Sequence, residues 1–479
     1  MMAVKIEEAV RVTPSARQLS WQQLEFYGFI HFGINTFTGR QWGFGNEDPA
    51  LFNPTEFDAS QWVNVCRSAG MTGIILTCKH HDGFCLWPSS YTNHSVKSSP
   101  WKNGQGDMVR EVADACRAQG LKFGVYLSPW DRHEPSYGDS PAYNAYFQNQ
   151  LRELLTNYGE IFCVWFDGAC GEGKNGKRQQ YDWDAYYSLI RELQPNAVIS
   201  ICGPDVRWCG NEAGHMRVSE WSVVPAVMKD NEKIQANSQK VDDDAFSKRI
   251  DTREEDLGSR EVLARVDEVV WYPSEVDTSI RPKWFYDAAD DDQVKTVDQL
   301  IELYEKIVGG NACFLLNLPP DRRGLIHEND AWNMAELGQK LRSTYGTNLA
   351  AGASVRASQS GTGDGDASCV LDGRSVTFWS PSEKFEPAIL EFDLGSVTLF
   401  DRIVLQEYIR SGQRIERFQL ECKERDKEVW KPLYDGTVIG YKKICRLHAT
   451  GARYIRLRIA ESRLNPMISG FGVYCSQRS

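Results

Sequence analysis

The run Cys163-Val164-Trp165-Phe166-Asp167-Gly168-Ala169 is an apolar, β-leaning segment that delivers one carboxylate into a turn of small residues. A carboxylate at the exit of a buried strand is costly to keep charged unless hydrogen bonds or chemistry compensate, so Asp167 reads as a nucleophile or a ligand. The competing reading is local, because Asp before Gly after a strand is also ordinary turn chemistry or a helix N-cap. Histidines form the second group: His80 and His81 adjoin in Lys79-His80-His81-Asp82, and His31 ends an earlier apolar run. Successive strand side chains diverge, so His80 and His81 can line one site only if the backbone leaves strand geometry there. A metal centre would need more ligands, with His31 and Asp82 as candidates. No HxH or HExxH spacing occurs, and no carboxylates pair around the histidines. Hydrogen bonding to a substrate is the favoured role, ahead of a structural one, with no metal and no cofactor.

These residues need elements to hold them. Candidate strands are Phe26 to Phe32, Gly73 to Cys78, Lys122 to Leu127, Ile161 to Phe166, Ala197 to Cys202, Glu268 to Tyr272 and Cys313 to Leu318. Between them, Ala59 to Ala69, Met108 to Gln119, Tyr143 to Tyr158 and Trp183 to Leu193 carry apolar residues at helical spacing. The alternation predicts a parallel β/α sheet. Polar or aromatic residues follow nearly every strand: His31, Lys79 to Asp82, Ser128-Pro129-Trp130, Asp167 and Gly203-Pro204-Asp205. No phosphate-binding glycine fingerprint follows any of them. Chemistry spread over many strand ends is what a (β/α)8 TIM-type barrel offers at its C-terminal face. Seven strands are legible, so the eighth is missed, irregular or absent.

Past Tyr345 the pattern changes. Asn348 to Gly365 is rich in Ala, Ser and Gly, and short alternating segments follow: Ala388 to Leu394, Arg402 to Glu407, Arg417 to Lys423, Gly440 to Leu447 and Arg453 to Ala460. This predicts a catalytic barrel over residues 1–345 and an all-β sandwich over 346–479. The 479 residues suffice for two substantial cores. A net charge of -11 without any Lys/Arg block disfavours a nucleic-acid partner. Fifteen Trp and 19 Tyr suit a sugar site, where apolar sugar faces lie on rings, although a rich core also uses them. Thirteen scattered Cys without CxxC pairs read as small buried hydrophobes, not a disulfide frame or zinc site. No stretch approaches the roughly 20 apolar residues of a membrane span. Met1 to Arg11 lacks a signal peptide's apolar region, and the compartment stays open: periplasmic or extracellular if an export signal has been removed, otherwise cytoplasmic.

Four ordered motifs now support a family. Ile30-His31-Phe32-Gly33-Ile34-Asn35-Thr36-Phe37, Thr77-Cys78-Lys79-His80-His81-Asp82-Gly83-Phe84, Gly124-Val125-Tyr126-Leu127-Ser128-Pro129-Trp130 and Val164 to Ala169 closely resemble the α-L-fucosidases of glycoside hydrolase family 29. Leu315-Leu316-Asn317-Leu318-Pro319-Pro320-Asp321 extends the resemblance, which covers about residues 20 to 345. The C-terminal part resembles the discoidin-like, or factor 5/8 type C, sandwich through Val370-Leu371-Asp372-Gly373, Thr377-Phe378-Trp379-Ser380, Leu390 to Gly395 and Ala452 to Leu457. Such a domain binds sugar or serves structure, and both readings stand.

The resemblance implies a retaining exo-α-L-fucosidase, with Asp167 as the nucleophile that forms a covalent glycosyl-enzyme. Arg207-Trp208-Cys209-Gly210-Asn211-Glu212-Ala213-Gly214 resembles the acid/base loop of the subgroup that prefers α-1,3- and α-1,4-linked fucose on branched glycans. Glu212 is therefore the implied acid/base, with burial beside Trp208 raising its pKa, and Glu220 is the runner-up. The family pattern puts His31, His80, His81 and Tyr126 on the fucose hydroxyls and Trp165 in the pocket wall, with Trp42 and Glu47 closing the pocket. Trp271 to Trp284 is expected to contact the aglycone. Gly309-Gly310 and Arg217 to Glu220 depart from the usual pattern, the second with consequences for leaving-group specificity. The partner implied is a fucosylated oligosaccharide or glycoconjugate. Rival readings are a glycosidase for another sugar, a metal-dependent hydrolase using the His pair, and a non-catalytic carbohydrate-binding protein.

Overall fold

The computed structural model describes residues 5–242, 256–358, 361–363, 366–382 and 387–476, so parts of the stretch from Asn348 to Gly365 lie outside the described residues. Its N-terminal part, through Asn317, is a parallel sheet rolled almost shut. Chain order gives β1 (Phe26–Ile30), β2 (Gly73–Lys79), β3 (Lys122–Leu127), β4 (Cys163–Phe166), β5 (Val198–Ile201), β6 (Arg207–Trp208), β7 (Val223–Pro225), β8 (Val269–Trp271), β9 (Ser274–Ser279) and β10 (Ala312–Asn317). The sheet order is β5-β4-β3-β2-β1-β10-β9-β6, with parallel ladders. Between its ends, the Ile201 amide donates to the Val206 carbonyl at 3.2 Å, so β5 and β6 meet through a bridge instead of a full ladder.

β1 to β5 and β10 read as largely apolar runs because both faces are buried. Phe29, Ile75, Tyr126, Cys163, Trp165, Val198 and Leu315 pack together as one cluster. Their neighbours Ile30, Leu76, Val125, Val164, Ile199 and Leu316 belong to the larger core that includes the helices. This is the period-two division of a strand between barrel interior and helical layer. Side-chain carboxylates start helices of the barrel layer: Asp58 accepts from Ser60 N, Asp107 from Arg110 N and Asp182 from Ala185 N, each satisfying an orphan amide of the first turn.

Two strands differ from the sequence expectation. The apolar run at Glu268 to Tyr272 forms β8, which pairs antiparallel with β7 outside the barrel. The barrel strand is the next segment, Ser-Glu-Val-Asp-Thr-Ser, whose pattern is inverted: Val276 belongs to the helix-side core, while the alternate residues Glu275 and Asp277 are buried carboxyls. The other strand, β6, has two residues and leaves no periodicity to read.

The C-terminal part is antiparallel. Two 20-residue strands, Ala388–Glu407 and Lys443–Ser462, pair with each other through register shifts, and Ile415–Lys423 and Ile468–Tyr474 flank them. A separate core of Phe392, Leu405, Phe418, Leu457 and Phe471 lies within it. The predicted segments Ala388 to Leu394 and Arg402 to Glu407 are thus two stretches of one bent strand. No cysteine is disulfide-bonded, and all but Cys170 and Cys369 are buried. No helix among the described residues is long and apolar enough to cross a membrane.

Candidate active site

A cleft opens at the C-terminal ends of the barrel strands, lined by residues that follow β1, β2, β4, β6 and β9. Asp167 stands just past β4. Its Oδ2 accepts from the Tyr126 hydroxyl at 2.9 Å, and its Oδ1 accepts from the Ala169 amide at 2.8 Å. The amide bond is the turn chemistry anticipated for an Asp-Gly step, but no helix starts there. The next one, Trp183–Leu193, has Asp182 as its cap. Burial and the neighbouring Asp167 charge push the Tyr126 phenol pKa well up, so it stays a neutral donor. Its ring stacks on Trp165 with centroids 5.3 Å apart, and Trp165 Nε1 donates to Glu275 at 2.7 Å.

Glu212 faces the same cleft from the loop after β6. Asn211 folds that loop: its Oδ1 accepts from the amides of Ala213 and His215, each at 3.1 Å. Gly210 and Gly214 adopt positive φ, 99° and 75°, which suits the tight turns on either side of Glu212. Glu212 Oε2 accepts from Trp284 Nε1 at 2.8 Å. Although part of the side chain reaches the cleft, its carboxyl is surrounded by protein. Desolvation, with a smaller push from Asp167 and opposed by the Trp284 bond, lifts its pKa to about 7. Trp284 is itself held: Gln41 Oε1 accepts from its amide at 2.9 Å, and Asn317 Nδ2 donates to its carbonyl at 2.8 Å. Trp284→Phe should remove the indole donor that stabilises the Glu212 carboxylate. The Glu212 pKa then rises further, and the alkaline limb of the kcat/KM–pH profile moves upward. An unmoved limb would separate that limb from Glu212.

The two adjacent histidines both line the cleft, and the backbone condition for this is met. A register shift falls between Thr77 and Lys79, and β2 ends at Lys79. The Lys79 ammonium is spent in a buried pair with Asp131 at 2.8 Å. His81 Nδ1 lies 2.7 Å from Ser128 Oγ, whose own proton goes to the Trp130 carbonyl at 2.6 Å, so the imidazole is the donor. His31 Nδ1 likewise meets Asn317 Oδ1 at 2.9 Å. Desolvation lowers the His81 pKa to about 4 and the His31 pKa to about 3, leaving both neutral at physiological pH. Neutral rings that donate through Nδ1 leave Nε2 as an acceptor, which suits sugar hydroxyls. His80, His81 and Asp167 also each offer a ligand atom within 4.8 Å of one another, the one grouping of metal-binding type among the described residues.

The other expected residues divide into two groups. Trp42, Trp165 and Trp208 line the cleft, while Tyr126 reaches it through Asp167. Glu47 does not line it: its oxygens accept from the amides of Phe44 at 2.5 Å and Gly45 at 2.8 Å, shaping the loop that carries Trp42. Asp82 is turned to Asn35 Nδ2 at 3.0 Å and the Phe84 amide at 2.7 Å, away from the histidines. Glu220, the runner-up acid/base, is buried against Arg207 and is absent from the cleft lining. Asp277 lies in the stretch Trp271 to Trp284 expected at the aglycone, where the sequence assigns it no role of its own. It lines the cleft, accepts from Trp208 Nε1 at 2.9 Å, and has its pKa driven well up by desolvation and by Glu212 and Glu275.

Two carboxyls facing one cleft, with aromatic walls and imidazoles at a barrel's C-terminal mouth, are an arrangement that suits a glycoside hydrolase. The α-L-fucosidase family model matches residues 16–346, and the F5/8 type C domain model matches residues 354–469. Alpha-L-fucosidase 1 of Arabidopsis thaliana is 41% identical over 474 residues, covering 97% of this chain and 88% of that protein. A Bacteroides ovatus crystal structure assigned to the α-L-fucosidases is 46% identical, with a TM-score of 0.85, covering 99% of this chain and 77% of that one. A Ruminococcus gnavus glycoside hydrolase family 29 fucosidase, solved in complex with fucose, is 32% identical, with a TM-score of 0.83, covering 100% of this chain and 97% of that one. The chain belongs to the α-L-fucosidase family.

Proposed function

We propose that this enzyme is a retaining exo-α-L-fucosidase acting on α-1,3- and α-1,4-linked fucose of branched glycans, with Asp167 as nucleophile and Glu212 as acid/base. The observation that carries the reading is the contrast between the two carboxyls. Asp167 is held at the strand exit by the Tyr126 hydroxyl and a backbone amide, whereas Glu212, buried against Trp284, has its pKa raised to about 7 and holds a proton below that pH. In the first step Asp167 attacks the anomeric carbon as the glycosidic bond breaks, and Glu212 gives its proton to the departing oxygen. In the second step Glu212 takes a proton from water, whose oxygen displaces Asp167 and restores the original anomeric configuration. His31 and His81 accept from fucose hydroxyls, His80 lies beside them, and Trp165 and Trp42 wall the ring.

The branched substrate is supported by what lies beyond the nucleophile. Trp208, Asp277, Lys283 and Trp284 extend the lining on the Glu212 side, where a leaving sugar must sit. Hydrolysis of a Lewis-type branched trisaccharide should therefore be efficient relative to p-nitrophenyl α-L-fucoside, with fucose released from both. Release from the aryl fucoside alone would reject the branched preference and keep the fucosidase. Excess EDTA should leave both rates unchanged. Loss of activity restored by a divalent cation would instead give His80, His81 and Asp167 to an ion.

A further inference from the structure

The Glu212 loop hangs from β6, a two-residue strand that meets β5 only through a bridge and pairs with β9 at Arg207↔Ser274 and Trp208↔Glu275. So short a ladder does little by itself to fix the angle of a catalytic loop. The loop's two ends carry Arg207 and Arg217, and both guanidinium groups converge on one buried carboxylate. Arg207 Nη2 donates to Glu220 Oε1, and Arg217 Nη1 lies 3.5 Å from Glu220 Oε2. Arg217 Nη1 also donates to the Cys209 carbonyl at 3.1 Å, tying the end of the loop back to its beginning.

Glu220 is in turn held by its backbone, partly from the other domain. Its carbonyl accepts from Asn311 Nδ2 at 2.8 Å and from Gln413 Nε2 at 3.3 Å, while Gln413 Oε1 accepts from the Ser222 amide at 2.8 Å. Gln413 is fully buried and belongs to the C-terminal domain. From that domain also come Tyr441, whose amide donates to Asn311 Oδ1 at 2.7 Å, and Arg463, whose guanidinium lies 3.6 Å above the Trp221 ring. The Gly309-Gly310 pair permits the close approach: a Cβ on Gly309 would stand 2.4 Å from Ile444 Cβ, and one on Gly310 2.5 Å from Met216 Sδ, in the Glu212 loop.

We propose that Glu220 is a positioning residue for Glu212, gathering both ends of the Glu212 loop through Arg207 and Arg217 onto a backbone segment that Gln413 of the C-terminal domain holds in place. The C-terminal domain thereby serves the chemistry of the barrel whether or not it binds sugar. The inference rests on the assignment of Glu212 as acid/base. It turns Glu220, a plausible proton donor in sequence, into a charge that never meets substrate.

The test is kcat/KM for the full-length enzyme on two substrates, the branched trisaccharide, whose leaving group needs protonation, and 2,4-dinitrophenyl α-L-fucoside, whose leaving group does not. Glu220→Gln keeps the shape and removes the charge. It should lower the first rate about 10- to 100-fold, the scale on which small misplacements act, and the second less than about threefold. Because breaking a buried ion pair can prevent folding, Gln413→Ala is the second variant, with the same selective loss at about 3- to 10-fold. In a Glu212→Ala background neither change should lower the trisaccharide rate further, since there is no acid left to position. Equal losses on both substrates, or losses that persist in the Glu212→Ala background, would overturn the proposal. Failure of the Glu212 assignment is distinguishable: the Glu212→Ala enzyme alone would then lack any dependence on the leaving group.

Discussion

Asp167→Ala is expected to lower kcat/KM on p-nitrophenyl α-L-fucoside by on the order of 10⁴-fold or more, the scale seen when a covalent nucleophile is removed. Folding should survive, because the lost bonds are a turn amide and a phenol beside an open cleft. The stereochemistry of rescue makes the result specific. Azide in the vacated space attacks from the face Asp167 used, opposite the leaving group, and the single displacement yields β-L-fucosyl azide. Restored turnover with that product, identified by NMR, would establish Asp167 as the attacking group. Full activity in the variant, or a loss that azide leaves unchanged while circular dichroism shows the protein folded, would remove the basis for this role. Tyr126 belongs to the same unit: its hydroxyl donates to Asp167 Oδ2 and fixes the direction of that oxygen.

The legible part of the site is the part carried by strands with strong local patterns. His31, His80, His81 and Asp167 each follow an apolar run long enough to be recognised as a strand, and each faces or lines the cleft. The less legible part sits on β6 and β9. β9 carries Glu275 and Asp277 inward, so its alternation is opposite to that of a strand burying an apolar face. The compensation for those carboxyls comes from distant positions, Tyr27 and Trp165 for Glu275 and Trp208 for Asp277, which no local window contains. The same non-locality accounts for Glu220. In sequence it is a carboxylate eight residues after Glu212. In space it is enclosed by two arginines and by a domain that begins more than a hundred residues later.

Glu47 illustrates a different gap. A carboxylate in a glycine-rich loop has two kinds of work open to it, contact with a ligand or satisfaction of the loop's own amides, and both leave the same sequence. Here the amides of Phe44 and Gly45 take both oxygens. The carboxylate therefore acts on the cleft through Trp42, whose ring stands edge-on to His81 and Trp130 at 5.7 and 5.2 Å.

The Glu212 role leads to the second large effect. Glu212→Ala should cut kcat/KM on the branched trisaccharide by about 10²- to 10⁴-fold, the usual worth of general acid catalysis, while an activated aryl fucoside loses far less in its first step. With that aryl substrate the covalent intermediate accumulates, because no base remains to activate water. Azide needs no base and attacks the intermediate in a second inversion, so the product is α-L-fucosyl azide, the opposite anomer to that from Asp167→Ala. The pH profile provides an independent check. The acid must be protonated to donate, and burial holds its pKa near 7, so kcat/KM should fall as pH rises through about 7. In Glu212→Gln, which cannot titrate, that alkaline limb should disappear. An alkaline limb that survives in Glu212→Gln, or β-anomer azide from Glu212→Ala, would move the acid/base function to another group. Asp277, the neighbouring carboxyl with a raised pKa, would then be the first to examine.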